Sequence, residues 1–425
     1  MEGKNNKKKR LRKALIILFA VLGLCVATVQ LVLMFYIDPK LESYIIKKVN
    51  DLSKDQYNLA FDNISFNIFT QKITATGLNL TPVYEKSDKK RIRQDEINLY
   101  TPEISAQGLD LWAALWDKKI IVSSIKIADP ILKVDRNSQT DSNPFQYKKF
   151  PNYYRLLKGI FHSALIKDIT IKSGNLELYR LLDLYKNVTT VENIDLHIEN
   201  LLLDSLSINK DRGFLDVGEV EASLAAFSQR SPDSAYLLSV GSIEISSKNS
   251  YVGAKNINLS PQVNLSKEAI QKTIVYEVYV PELEIQDLDI KELYQARQLS
   301  LPSLKIDSAA IKVIGNNLKE IRTENVEEIN FYPLVSEYLR SFKIDKIMLA
   351  HAKLNIVNLN EAYRLNLTGA DIFLYNFKMD SAQSQTRHKL FYSDKVFVRS
   401  GAQAPILIDS IDLSQKFVQR FNPPL

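Results

Sequence analysis

Residues 57–82, "YNLAFDNISFNIFTQKITATGLNLTP", lie over residues 236–261, "YLLSVGSIEISSKNSYVGAKNINLSP", without a gap. Tyr57 meets Tyr236, Leu59 meets Leu238, Ile64 meets Ile243, and Asn79 to Pro82 meet Asn258 to Pro261. Residues 101–137 lie over 280–316 at the same spacing of 179, with Leu109 and Asp110 on Leu288 and Asp289, and Lys133 and Val134 on Lys312 and Val313. Further on the offset drifts as loop insertions would make it, and Asp195, Asn200 and Asp204 meet Asp371, Asn376 and Asp380. A repeat of this period dictates that whatever one copy folds into, the other folds into as well. Repeat 1 is read as residues 57–235 and repeat 2 as residues 236–425.

Within each copy the apolar residues alternate. Ile121, Ser123, Ile125 and Ile127 share one parity in "IIVSSIKI", as do Ile194, Leu196 and Ile198 in "IDLHIEN". Alternate residues of a strand point to opposite faces, so each run predicts a strand with one apolar and one polar side. Ala128-Asp129-Pro130 and Ser173-Gly174-Asn175 read as turns between antiparallel neighbours. Helical spacing is confined to "DPKLESYIIKKVNDLSKD", "PNYYRLLKGIFHS", "YPLVSEYLRSF" and the stretch "GLDLWAALWDKK" with its counterpart. In that last pair Asp110 and Asp289 stand where a short carboxylate caps the free amides of a first helical turn. Trp112 and Trp116 face Lys291 and Gln295 of the second copy, so a helix here does without them. Tryptophan favours the interfacial layer of a bilayer, which makes both candidates for a membrane contact; packing on a neighbouring strand is the competing reading.

The seven basic residues and single Glu2 of positions 1–13 account for the whole net charge of +6, leaving 48 basic and 48 acidic residues in balance. Phosphate contacts supply most nucleic-acid affinity, and a balanced folded part offers no such surface. Ala14 to Ile37 contains no charged residue. At about 1.5 Å per helical residue it reaches across a hydrocarbon core of roughly 30 Å. The basic tail (1–13) keeps the N-terminus cytoplasmic, so the anchor (14–37) exports an amphipathic linker helix (38–56) and both repeats. Cys25 is the only cysteine and lies in the span, which leaves the exported part without disulfides or thiol chemistry. His162, His197, His351 and His388 have no metal-ligand spacing, and no nucleophile elbow or phosphate loop is present. No metal, cofactor or catalytic residue is assigned, and the chain is read as a non-enzyme.

The basic tail, single span, "LESYIIKKVN", "YNLAFDNISFNIFTQKITATGLNLTP" and "SSIKIADPILKVDRN" together resemble the start of AsmA-like envelope proteins. These belong to the wider group of bridge-like lipid-transfer proteins built from repeating β-groove units. The resemblance implies a mainly β fold with short helices, in which a long curled antiparallel sheet forms a groove of two tandem repeats. It implies a bacterial inner-membrane protein, its bulk periplasmic, that carries phospholipid or another acyl lipid and supports outer-membrane lipid homeostasis, alone or with other envelope proteins. The groove candidates are Ile121, Ile125, Ile127, Leu132, Val134, Ile194, Leu196 and Ile198, with Leu304, Ile306, Ile311 and Val313 in the second copy. Some 18 strands at about 4.8 Å would give a trough on the order of 85 Å long. The same alternation also suits two β-sandwich domains in a structural or adaptor protein of the envelope.

Overall fold

The computed structural model describes residues 38–53, 55–67, 70–83, 96–110, 113, 116–137, 162–182, 185–204, 217–231, 235–262, 275–290, 293, 297–315, 339–358, 364–380, 395–400 and 406–409. The tail, the span 14–37, Trp112, His388 and most of the helices read at 151–163 and 332–342 lie outside them. Among the described residues no helix is long and apolar enough to cross a membrane.

Among the described residues one helix, α1 (Asp38–Ser53), precedes 22 strands that all belong to a single sheet. Two sandwiches would need stacked sheets; here the hydrogen bonding runs unbroken through both copies. The first copy holds β1 (Tyr57–Ala60), β2 (Asn63–Asn67), β3 (Lys72–Pro82), β4 (Glu96–Gln107), β5 (Lys119–Val122), β6 (Ser124–Ala128), β7 (Ile131–Asn137), β8 (Ser163–Leu182), β9 (Tyr185–Asp204), β10 (Val220–Leu224) and β11 (Ala226–Arg230). The second holds β12 (Tyr236–Val240), β13 (Ser242–Ser246), β14 (Tyr251–Pro261), β15 (Val275–Ile285), β16 (Gln298–Leu301), β17 (Leu304–Asp307), β18 (Ala310–Gly315), β19 (Ser341–Asn358), β20 (Arg364–Asp380), β21 (Lys395–Ser400) and β22 (Ile406–Asp409). The helix α1 packs beside β1 and β2, at the first end of the sheet.

The pairing repeats residue for residue. Tyr57 pairs Pro82 as Tyr236 pairs Pro261, Ile64 pairs Ala75 as Ile243 pairs Ala254, and Leu99 pairs Leu132 as Val278 pairs Ile311. Backbone conformation repeats too. Among the described residues every left-handed one except Asp55 has a counterpart: Gln71 and Ser250, Gly77 and Asn256, Gly108 and Asp287, Lys118 and Arg297, Asp129 and Ser308, Ser173 and His351, Asn193 and Gly369, Asn200 and Asn376. Residues held at positive φ in a ladder mark bulges, which bend a strand and sharpen its twist. Asp195 and Asp371 explain one of the repeated aspartates. Their carboxylates accept from the amides of Ser173 and His351, the left-handed residues opposite, at 2.9 and 3.2 Å.

Two expectations are corrected. The sheet is mixed: β5, β6 and β7 run parallel to β8, and β16, β17 and β18 run parallel to β19. The two turn-like tripeptides are also not hairpins. Ala128-Asp129-Pro130 is a jog between β6 and β7, which both pair with β4, and Thr101 donates its hydroxyl to the Ala128 carbonyl there at 2.7 Å. Ser173-Gly174-Asn175 is a bulge inside β8, where the register to β9 shifts. Because several strands are collinear pieces of one, the 22 occupy fifteen ladder positions. At about 4.8 Å each the sheet spans roughly 67 Å, shorter than the strand count suggests.

A repeated tyrosine ties the first strand of each copy across its neighbour. Tyr57 Oη accepts from the Ile97 amide at 3.2 Å, and Tyr236 Oη from the Tyr276 amide at 3.0 Å. Tyr236 is fully buried. Tyr236→Phe is therefore expected to remove the hydroxyl that accepts from the half-buried Tyr276 amide and to cost about 1–3 kcal/mol in denaturant unfolding. Tyr57→Phe, at a half-buried site that water reaches, is expected to cost less.

Candidate functional site

Strand pairing places direct cross-strand neighbours on one face. Followed from β2 to β15, one row reads Ile64, Ala75, Ile104, Ile127, Ile171, Leu196, Ala222, Ile245, Val252 and Ile285. Every member is apolar, and the row crosses from the first copy into the second without interruption. One residue away, the row Ser65, Thr74, Ser105, Lys126, Thr170, His197, Glu221, Ser246 and Tyr251 lies on the other face, with a polar group at every position. From β2 to β14 the sheet therefore has an apolar row and, on its other face, a polar one; over the last strands the opposite face is apolar as well, in Met348, Phe373, Phe397 and Leu407. A further apolar row, Ile306, Leu349, Ile372, Val398 and Ile406, carries the same face to the last strand.

The candidates from the alternating runs fall on this face with one exception. Ile125 pairs Ile169, which pairs Ile198; Leu132 pairs Leu176 and Val134 pairs Leu178; Ile194 lies opposite Gly174. Leu304, Ile306, Ile311 and Val313 pair Ile347, Leu349, Leu354 and Ile356. Ile121 takes the opposite parity, in a row with Leu165 and Leu202. A bend at Ser123 breaks β5 from β6, so Val122 and Ile125 take the apolar parity, as their counterparts Leu301 and Leu304 do in one buried cluster. Alternation alone extends the parity of Ile125 through Ser123 to Ile121, which is why the neighbouring Val122, only 6% exposed, was missed. The long strands β8 and β19, which contribute Ile169, Ile171, Ile344 and Ile347, are not marked by simple alternation, because register shifts after Ile171 and after Leu349 interrupt the two-residue period.

The two copies differ in how far the face is closed. In the second, Ile285, Leu288, Leu301, Ile344, Leu349, Ile356 and Phe377 form one buried cluster, with Ile290 and Leu293 packed against it. In the first, Ile125, Ile127, Leu132, Val134, Ile169, Ile171, Leu196 and Ile198 are all only half-buried. The accessible part of the apolar face thus lies in the copy next to α1.

At the edge of the first copy, Asp110 Oδ1 accepts from the Ala113 amide at 2.9 Å, capping the turn that carries Trp116. In the second copy the Asp289 carbonyl accepts from the Leu293 amide at 2.9 Å. Trp116 is 69% exposed, with Lys118 and Lys119 exposed beside it in the chain. Trp112 lies outside the described residues.

Titratable groups gather on the polar face. The Ser173 amide and then Lys172 hold the Asp195 carboxyl below the usual range, and His351 does the same for Asp307. His197 stands between Asp168 and Glu199 at 3.3 Å from each. Among the described residues no group of His, Cys, Asp and Glu has the arrangement to hold a metal ion. No protein-family model and no curated protein matches this chain. The two-faced sheet is thus the feature from which function is argued.

Proposed function

We propose that the chain is a single-span, membrane-anchored envelope protein whose sheet curls into a trough and carries lipid acyl chains along its apolar face. The observation that supports this most is the unbroken apolar row from Ile64 to Ile285. Ten ladder positions at about 4.8 Å cover roughly 43 Å, against about 15 Å for the acyl layer of one leaflet. A surface that long is a path and not a pocket for one chain. Each methylene moved from water onto it contributes about 0.8 kcal/mol, while headgroups stay at the polar rim.

Curling is what the aligned left-handed residues favour, since bulges at one register bend neighbouring strands together. The half-buried face of the first copy is where lipid enters, close to the anchor that α1 continues. Exposed Trp116, flanked by Lys118 and Lys119, rests on the bilayer surface beside that entrance. The basic tail sets the N-terminus in the cytoplasm and the two repeats in the periplasm of a bacterial envelope, consistent with the resemblance to AsmA-like proteins. The protein acts there by binding, not by covalent catalysis.

Full-length protein extracted from membranes and stripped of detergent is expected to release acyl lipid on denaturation, read by mass spectrometry, and to take up a fluorescent phospholipid from vesicles. Absence of both would remove the reading.

A further inference from the structure

The polar face holds a depression of about 330 Å³ in the second copy that the lipid reading leaves unused. Two neighbouring rows line it: Asn258, Tyr279, Ala310 and Lys353, beside Glu277, Lys312, Asn355 and Asn366. Tyr279 is 40% exposed, and its hydroxyl donates to Asn256 Oδ1 at 3.1 Å, which fixes the ring over the depression's edge. Lys312 is neutralised by Glu277, at 3.0 and 3.1 Å from its two carboxylate oxygens. Among the described residues no side-chain hydrogen bond engages Asn355, Asn366 or Lys353.

We infer that this depression is a saccharide-binding site. An exposed aromatic ring offers an apolar plane with a polar tip, suited to the C–H face of a sugar ring. Asn amides donate and accept at once, as hydroxyl groups do, and two of them converge here with a lysine. An anion site would instead gather several unpaired cations; here Lys312 is spent on Glu277, which among the described residues leaves Lys353 as the one uncommitted cation in the lining, beside the Glu277 carboxylate. The volume is at the low end for small-molecule sites, enough for one or two sugar rings.

The first copy provides a second, independent observation. Tyr100, Asn79 and Lys133 stand at the positions of Tyr279, Asn258 and Lys312, and Tyr100 is likewise 44% exposed. Lys133 also has its carboxylate, but from the other neighbouring strand: Glu177, at 3.1 Å. Ile131, 37% exposed, replaces Ala310 and fills the space between Tyr100 and Asn175. The depression exists in the second copy because Ala310 is small.

This inference does not rest on lipid carriage, since it concerns the opposite face. Full-length protein in a sugar-free amphipol is applied to an array of neutral, N-acetylated and acidic oligosaccharides, and the best binder is titrated by calorimetry. Binding is expected for one sugar class. It should weaken at least tenfold in Tyr279→Ala and in Ala310→Ile, and hold in Tyr100→Ala, with melting temperature and lipid content unchanged. No binding across the array, equal binding by both second-copy variants, or full displacement by inorganic phosphate would each overturn it.

Discussion

Ile344→Asp is expected to unfold the second repeat. Ile344 has no exposed surface and lies between Leu301 and Phe377 on paired strands, with Phe377 held edge-on to Phe342 at 5.8 Å. Losing a buried isoleucine costs about 1.5–3 kcal/mol, and stranding a carboxylate there costs several more unless it takes up a proton. A domain's whole stability is about 5–15 kcal/mol, so one substitution takes most of it. Ile344→Val, which removes one methylene, is expected to cost about 0.5–1.5 kcal/mol. Limited proteolysis and urea unfolding distinguish the two. The corresponding first-copy change, Ile166→Asp, falls on a half-buried residue and is expected to cost clearly less.

Leu196→Asp is expected to do the opposite: spare the fold and abolish lipid carriage. Leu196 is half-buried and stands midway in the apolar row, between Ile171 and Ala222. A carboxylate there keeps access to water, so the native state survives. An aspartate at the centre of a hydrocarbon path costs about 2.5–3.5 kcal/mol, or about a hundredfold in acyl-chain affinity. Lys126→Asp changes charge by more but lies on the polar row, and its lipid uptake is expected to match wild type. Fluorescent-lipid uptake, with circular dichroism as the folding check, reads both variants.

Strand content and the two-faced character were legible in the sequence because alternation reports directly on the period of a strand. It fails where the backbone changes parity. Asn200 and Asn376 both take left-handed φ, and asparagine at matched positions was a usable signal for it; Lys118, Arg297 and His351 do the same with side chains that give none. Ser123, on no account a strong breaker, still moves Ile121 to the other side. Parallel pairing of β7 with β8 was hidden for a different reason. It is set by the crossover between residues 137 and 163, and antiparallel neighbours were inferred from turn residues that mark jogs within a ladder position. The repeated aspartates were visible as identities long before a role: Asp195 and Asp371 serve the amide of a bulge, a partner 22 and 20 residues away. The tyrosine that distinguishes the depression on the polar face is visible too, as Tyr100 over Tyr279, but only the pairing shows Ala310 beside it.

The direct test of lipid carriage is to place a photoreactive benzophenone amino acid in the full-length protein at Ile127 or Leu196 on the apolar row, and at Lys126 or His197 one residue away. After irradiation in intact membranes, adducts of lipid mass are expected at Ile127 and Leu196 and not at the other two. Equal labelling of both faces, or no lipid adduct at either apolar position in protein shown to be folded, would contradict it.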